Sequence, residues 1–247
     1  MPSCSGKPAR AADLAPFGII GAMDLEVELL RASMADAAME AVGGCEYAHG
    51  RIDGVDCVVA QCGVGMVNAA ACTQALVDRF QVGCVVNTGV AGSLAPAVGV
   101  GDVVVATDAV NWMMDVQNLG YAPGQTPGLP SASLPTSDKL RAAAVAAARA
   151  EGAAVCEGRV ASGDRFVRSP AERQRIASTF GALCCEMEGA AIAQVCQANG
   201  VPCAIVRAIS DTADGSDAVD YPTFEAAAAR QCAAITRRLL ASPEPLP

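Results

Sequence analysis

Cys184-Cys185-Glu186-Met187-Glu188-Gly189-Ala190-Ala191-Ile192-Ala193, followed shortly by Val206-Arg207-Ala208-Ile209-Ser210-Asp211, decides how this chain reads. Each stretch runs from an apolar, strand-like piece straight into polar groups. These are Glu186, Met187 and Glu188 in the first, and Arg207, Ser210 and Asp211 in the second. Carboxylates are costly to bury without a partner, so their place at the ends of core strands needs a cause. The carboxyl edge of a parallel sheet supplies one, because open α/β sheets take their ligands there.

Working outward, the same strand-then-helix rhythm recurs. Residues 17–22 read as a short apolar strand, and 23–34 as a helix with acidic residues in its first turn, where they complement the helix dipole. Strands at 45–50 and 55–61 flank an Asp53-Gly54 turn. Gly63-Val64-Gly65 leads into an Ala-rich helix to about residue 80. A strand at 84–87 ends in the Gly-rich turn 89–92, and another covers 102–107. Residues 111–135 form one long irregular region rich in Pro, Gly and Met, and loops of that length are usually functional or interfacial. A helix at 139–150 and a strand at 158–162 follow, then a helix opened by Ser169-Pro170 with Pro at its first position. A strand at 182–185, a helix to about 198, a strand at 202–209 and a helix at 223–241 finish the chain. The alternation predicts an α/β protein of three αβα layers, with a central mixed twisted sheet flanked by helices. Residues 15–247 are expected to be a single domain, and residues 1–14 a flexible leader.

Composition narrows the class. Of 247 residues, 52% are hydrophobic and few are aromatic, which suits a packed globule and argues against disorder. Acidic residues exceed basic ones by 26 to 17, a formal charge of −9, and no basic patch stands out, so a nucleic-acid surface is not expected. The apolar run 17–23 is too short for a signal peptide or a membrane span, so no membrane partner is expected either. Twelve cysteines sit mostly inside strand and helix patterns as small hydrophobes, with no CxxC pair and a single histidine. That placement predicts reduced thiols, a cytoplasmic setting and no metal site.

The series of motifs is more specific than any one of them. Gly21-Ala22-Met23-Asp24-Leu25-Glu26-Val27, Asn87-Thr88-Gly89-Val90-Ala91-Gly92, Ser162-Gly163-Asp164-Arg165-Phe166-Val167, Glu186-Met187-Glu188-Gly189-Ala190 and Arg207-Ala208-Ile209-Ser210-Asp211 occur in this order. Together, over about residues 17–240, they resemble the 5′-methylthioadenosine/S-adenosylhomocysteine nucleosidases of the nucleoside phosphorylase superfamily. The resemblance implies a nucleoside phosphorylase-like fold and a homodimer that hydrolyses an N-glycosidic bond without a cofactor. It makes Glu26 the base that activates water and Asp211 the acid that protonates purine N7. Glu188 would hold the ribose hydroxyls with Met187 against the sugar, Phe166 would stack on the base, and the main chain of Val167 would read its amino edge. Met23, Val64 and Tyr221 would line the sugar and its 5′ substituent, and Val90, Glu186, Arg207 and Ser210 complete the implied substrate-binding set. Val116, Leu119, Tyr121 and Pro127, in the long irregular region, match residues donated across a dimer interface.

These residue types suit the chemistry on their own terms. Breaking the bond builds positive charge on the ribose and negative charge on the departing purine, so an acid belongs at the base and a carboxylate at the sugar. Asp211 must then hold a proton near neutral pH, which burial beside other carboxylates would favour. Taken singly, each residue has a plainer reading. Glu26 could be a solvated first-turn residue, Glu188 a helix N-terminal charge and Asp211 an N-cap. Arg207 could be the structural partner of a buried carboxylate such as Glu188, or could order the water. Phe166 and Tyr221 could be core residues, His49 a surface strand residue, and Trp112 a packing or interface residue.

Charge separates hydrolysis from phosphorolysis. Related phosphorylases place an Arg where this chain has Asn87 and another near the first helix, where this chain is acidic; Glu26 would repel phosphate and suits water. Val90 stands where many of the family carry a Ser, as it does in some relatives that act on 6-amino-6-deoxyfutalosine. A futalosine-type nucleosidase and a purine nucleoside phosphorylase are therefore the alternative enzymes. A noncatalytic nucleoside-binding protein would require loss of Glu26 or Asp211, and both are present.

Overall fold

The computed structural model describes residues 15–213 and 221–242, with side chains from 224 onward in the second segment. The leader expected at residues 1–14 lies outside the described residues. The elements run β1 (Phe17–Gly21), α1 (Asp24–Ala32), β2 (Ala35–Val42), β3 (Cys45–Ile52), β4 (Val55–Gln61), α2 (Met66–Asp78), β5 (Cys84–Ser93) and β6 (Val103–Asn111). Then come β7 (Leu134–Pro135), α3 (Asp138–Ala150), β8 (Val155–Ser162), α4 (Pro170–Phe180), β9 (Cys184–Glu186), α5 (Gly189–Asn199), β10 (Cys203–Asp211) and α6 (Tyr221–Leu240). All ten strands join one mixed sheet in the order β10-β6-β8-β9-β5-β1-β4-β3-β2, with β7 paired to β6. β10 also pairs with β5, so β5, β9, β8, β6 and β10 close on themselves as a ring. Helices α2 and α5 pack on one face, while α3 and α6 seal the other over Val86, Val103, Val105 and Val206.

Three expectations are corrected. The helix expected over 23–34 stops at Ala32, and Ala35–Val42 becomes the edge strand β2, antiparallel to β3. Its Ala-rich composition reads as helix, and only pairing with β3 makes it a strand. The Gly-rich stretch 89–92 is not a turn. It continues β5, in parallel register with β10, with Arg207 opposite Gly89 and Ala208 opposite Val90. The strand expected over 102–107 likewise runs on to Asn111, up to the start of the irregular region. Among the described residues the cysteines are free thiols. His49 is an exposed residue of β3, and Trp112 is buried against α4 residues Ile176 and Phe180.

The topology brings chemistry to one edge. β1, β4, β5 and β10 run parallel, so Gly21, Gln61, Gly92 and Asp211 finish on the same side. The motif residues at 21–26, 89–92 and 207–211 therefore gather where the strands end.

Candidate active site

Glu26 is the third residue of α1 and is 2% exposed, which removes the solvated reading of this side chain. Its Oε2 accepts from the N–H groups of Ala22 at 2.7 Å and Met23 at 3.0 Å, and its Oε1 from Val90 N–H at 3.0 Å. The reach back to Met23, the N-cap residue, is half of a capping box. The bond to Val90 crosses to β5, so the carboxylate bridges helix start and sheet edge. Position 90 thus meets Glu26 through its main chain, while its half-buried side chain packs toward the core.

Glu186 ends β9 and Glu188 is the N-cap residue of α5. The cap is not made by Glu188 itself. Glu186 Oε2 accepts from Glu188 N–H at 3.0 Å and Gly189 N–H at 2.8 Å, and Ser162 Oγ accepts from Ala190 N–H at 2.7 Å. Ser162 in turn donates its hydroxyl proton to Glu186 Oε1. Glu188 is left to accept from Gly65 N–H at 2.9 Å through its Oε1. Gly65 has φ +102, a backbone conformation that favours glycine, and a Cβ there would sit 2.9 Å from Asp164 Oδ1.

Arg207 is fully buried in β10. Its Nη2 donates to Glu186 Oε2 and to Asn87 Oδ1, and lies 3.7 Å from Glu188 Oε2. Its main partner is therefore Glu186 rather than Glu188. Asn87, from β5, also donates to Ile20 O at 3.1 Å and so ties Arg207 to β1. Burial by itself pulls the Arg207 pKa down, but Glu186, Glu188 and Glu26 outweigh it and hold the guanidinium above its ordinary value. Burial pushes Glu188 up to about 7, with Glu186 adding to the rise while Arg207 and the Gly65 N–H oppose it. Three buried carboxylates thus share one guanidinium.

Asp211 closes β10. Its Oδ1 accepts from Ser210 Oγ at 3.1 Å and its Oδ2 from Ala213 N–H at 3.1 Å. A cavity of about 50 Å³ lies beside it, lined by Phe166, Val167, Glu186, Met187 and Ser210 among others. Val167 is buried, whereas the Phe166 ring is 49% exposed and not a core residue, with the Arg168 guanidinium 6.0 Å from its centroid. Met23 is half-buried at the start of α1, and Val64 is exposed between β4 and α2. Val116 and Tyr121 are half-buried while Leu119 and Pro127 are exposed, and none of the four lines the cavity at Asp211. Tyr221 opens α6, but its side chain lies outside the described residues.

A larger groove of about 490 Å³ lies at His49, Arg51, Arg79 and Phe80, away from all of these residues. Its charges neutralise one another, Arg51 with Asp36 and Arg79 with Glu40, so volume alone is no guide to the site. The sequence reading passed over Ser162, the Gly65 N–H and the Asn87–Arg207 bond. Ser162 belongs to a quoted motif, but nothing in its type separates a strand serine from a helix-capping one.

This ring-closed α/β sheet flanked by helices is the architecture of the phosphorylase superfamily, whose family model matches residues 16–241. The 5′-methylthioadenosine/S-adenosylhomocysteine nucleosidase of Geobacillus kaustophilus (strain HTA426) is 41% identical over 223 residues, which span 90% of this chain and 95% of that protein. The crystal structure of the nucleosidase of the same name from Neisseria meningitidis, in complex with methylthio-immucillin-A, is 40% identical with a TM-score of 0.88. It covers 92% of this chain and 98% of its own. The native structure of futalosine hydrolase from Helicobacter pylori strain 26695 is 31% identical with a TM-score of 0.87, covering 92% and 98%. The chain belongs to the phosphorylase superfamily and, within it, to the 5′-methylthioadenosine/S-adenosylhomocysteine nucleosidase family.

Proposed function

We propose that this chain hydrolyses the N-glycosidic bond of 5′-methylthioadenosine and S-adenosylhomocysteine and releases adenine. The observation that carries the reading is the convergence of Glu26, Glu188 and Asp211, from three separate motifs, on one edge of the sheet. In the reaction, Asp211 gives a proton to purine N7 and the bond from the anomeric carbon to N9 breaks. Glu188 holds the ribose hydroxyls as positive charge grows on the sugar, and Glu26 takes a proton from the water that adds to the anomeric carbon. Attack opposite the leaving base inverts that carbon. Phe166 offers its exposed face to the base, Val167 its main chain and Met187 its thioether to the sugar, with Met23, Val64 and Tyr221 toward the 5′ substituent. Glu186, Arg207, Ser210 and the Val90 N–H hold the carboxylates in place.

Water is the nucleophile because the buried charge is anionic. Arg207 is already committed to Glu186 and Asn87, so no free cation there would receive a phosphate dianion. A homodimer completes the pocket, with Val116, Leu119, Tyr121 and Pro127 reaching the partner. Apolar exposure at Val64, Met113, Leu119 and Phe166 supports that assembly. Free thiols suit a cytoplasmic setting. Futalosine-type nucleosides are the second reading, favoured by Val90 and by the futalosine hydrolase likeness.

The test is chromatographic detection of adenine from 5′-methylthioadenosine, in phosphate-free buffer and again with phosphate. Free methylthioribose without phosphate is expected. Turnover only with phosphate would replace hydrolysis by phosphorolysis, and turnover only of futalosine-type nucleosides would favour the second reading. Asp211→Asn and Glu26→Gln should each abolish release, and unchanged turnover in either would remove that residue from its role.

A further inference from the structure

An N-cap residue ordinarily turns its own side chain onto the first N–H groups of its helix. Glu188 does not, because that work falls to two other residues. Glu186 accepts from Glu188 N–H and Gly189 N–H, and Ser162, from the neighbouring strand β8, accepts from Ala190 N–H at 2.7 Å. Ser162 has one proton to give, and it goes to Glu186 Oε1. Glu186 Oε2 meanwhile receives Arg207. Ser162 is fully buried, so the hydroxyl has no water to turn to and its bonding pattern is set by these neighbours.

We propose that Ser162 is a positioning residue for catalysis: its hydroxyl locks Glu186 onto the start of α5 and onto Arg207, and so leaves the Glu188 carboxylate free for the ribose. Ser162 takes this role within the nucleosidase reading above, and it touches neither substrate nor water. Without the hydroxyl, Ala190 N–H and Glu186 Oε1 each lose a partner in a dry site. Glu186 can then rotate toward Ala190, which pulls on Arg207 and brings Glu188 back toward the vacated helix N–H groups.

The experiment is a double-mutant cycle on the full chain, measuring adenine release from 5′-methylthioadenosine for wild type, Ser162→Ala, Glu186→Gln and the double variant. Ser162→Ala is expected to lower kcat/KM by about tenfold or more, in kcat rather than KM, because the interaction it supports strengthens as the bond breaks. In the Glu186→Gln background the same change should cost less than about threefold, since residues in one hydrogen-bond network are not additive. Ser162→Thr, which keeps the hydroxyl, should restore most of kcat. Additive losses, or wild-type turnover by folded Ser162→Ala, would overturn the role. If Ser162→Ala does not fold, Ser162→Cys, close in size and a weaker donor, goes through the same cycle with the same criterion. A wild-type protein that releases no adenine would instead sink the nucleosidase reading itself.

Discussion

Gly89 is where one carbon atom would test the proposed water site most directly. It lies inside β5 opposite Arg207, and its backbone is not in the left-handed region, so alanine is tolerable there as far as φ is concerned. A Cβ at that position would nonetheless stand 2.9 Å from Glu26 Cδ and closer still to Glu26 Oε1 and Arg207 Nη1. Ordinary carbon contacts begin near 3.5 Å, so the Glu26 carboxylate must retreat by at least about 0.5 Å. It is pinned by N–H groups on both oxygens and cannot retreat without losing one. Catalytic groups have to be held within about 0.5 Å of their working geometry. Displacements of up to ~1 Å cost about a hundredfold in rate. Gly89→Ala should therefore lose about two orders of magnitude in kcat/KM for adenine release, with overpacking costing about 1–3 kcal/mol of stability. Gly99→Ala is the control, since its Cβ would meet nothing closer than 3.8 Å. Steady-state kinetics with thermal unfolding on both variants checks the expectation. A folded Gly89→Ala protein with wild-type kcat/KM would refute the placement of the attacking water beside Glu26.

Two further outcomes follow from burial and exposure. Glu188 sits near 7 in the folded chain against an ordinary 4.5, so the folded state keeps a proton that the unfolded chain releases between those values, and stability falls as pH rises through that window. Glu188→Gln should abolish that fall and be more stable than wild type at pH 8, by on the order of 1–3 kcal/mol; parallel pH dependences of the unfolding temperature would contradict it. Leu119, 66% exposed in the loop between β6 and β7, should be covered in the proposed dimer. Leu119→Asp is expected to shift sedimentation toward the monomer and to lower adenine release together, and a monomer with full activity would show that the pocket needs no partner.

What was legible beforehand follows from which interactions are local. The strand-to-carboxylate transitions at 184–188 and 206–211 are visible because a polar run after an apolar one is a property of neighbours along the chain. The parallel ladder of β10 with β5 fits that pattern, but β9 runs antiparallel to β5, and no pattern along the chain gives that direction. Gly89 could not be placed the same way, because glycine after a strand reads as a turn unless the pairing with β10 is known. β2 is hidden for a similar reason, since its Ala-rich composition favours helix and only the ladder with β3 overrides it. Within the site, Glu188 is an ion-pair partner of Arg207 at 3.7 Å, while the direct hydrogen bond goes to Glu186. Glu186 and Glu188 are equally acidic in sequence, and only the capping of α5 decides which of them faces the guanidinium.

That division of labour between the two glutamates bears on the choice of nucleophile. Were Glu188 to cap its own helix, its charge would be absorbed by the N–H groups of α5, and Arg207 would have fewer claims on it. Because Glu186 and Ser162 cap the helix instead, the Glu188 carboxylate stays free for the proposed ribose contact, and Glu26 acts on the same guanidinium. Arg207 is held by Glu186 and Asn87 at the centre of this arrangement, where it offsets carboxylates and offers little to an incoming anion. Such a site favours a cationic ribose and a neutral water molecule, and opposes a phosphate dianion by the same electrostatics. Converting it to phosphorolysis would take more than an arginine in place of Asn87. The new cation would have to displace Arg207's partner and leave Glu26 facing the phosphate, so Asn87→Arg on its own should lose hydrolysis without gaining dependence on phosphate.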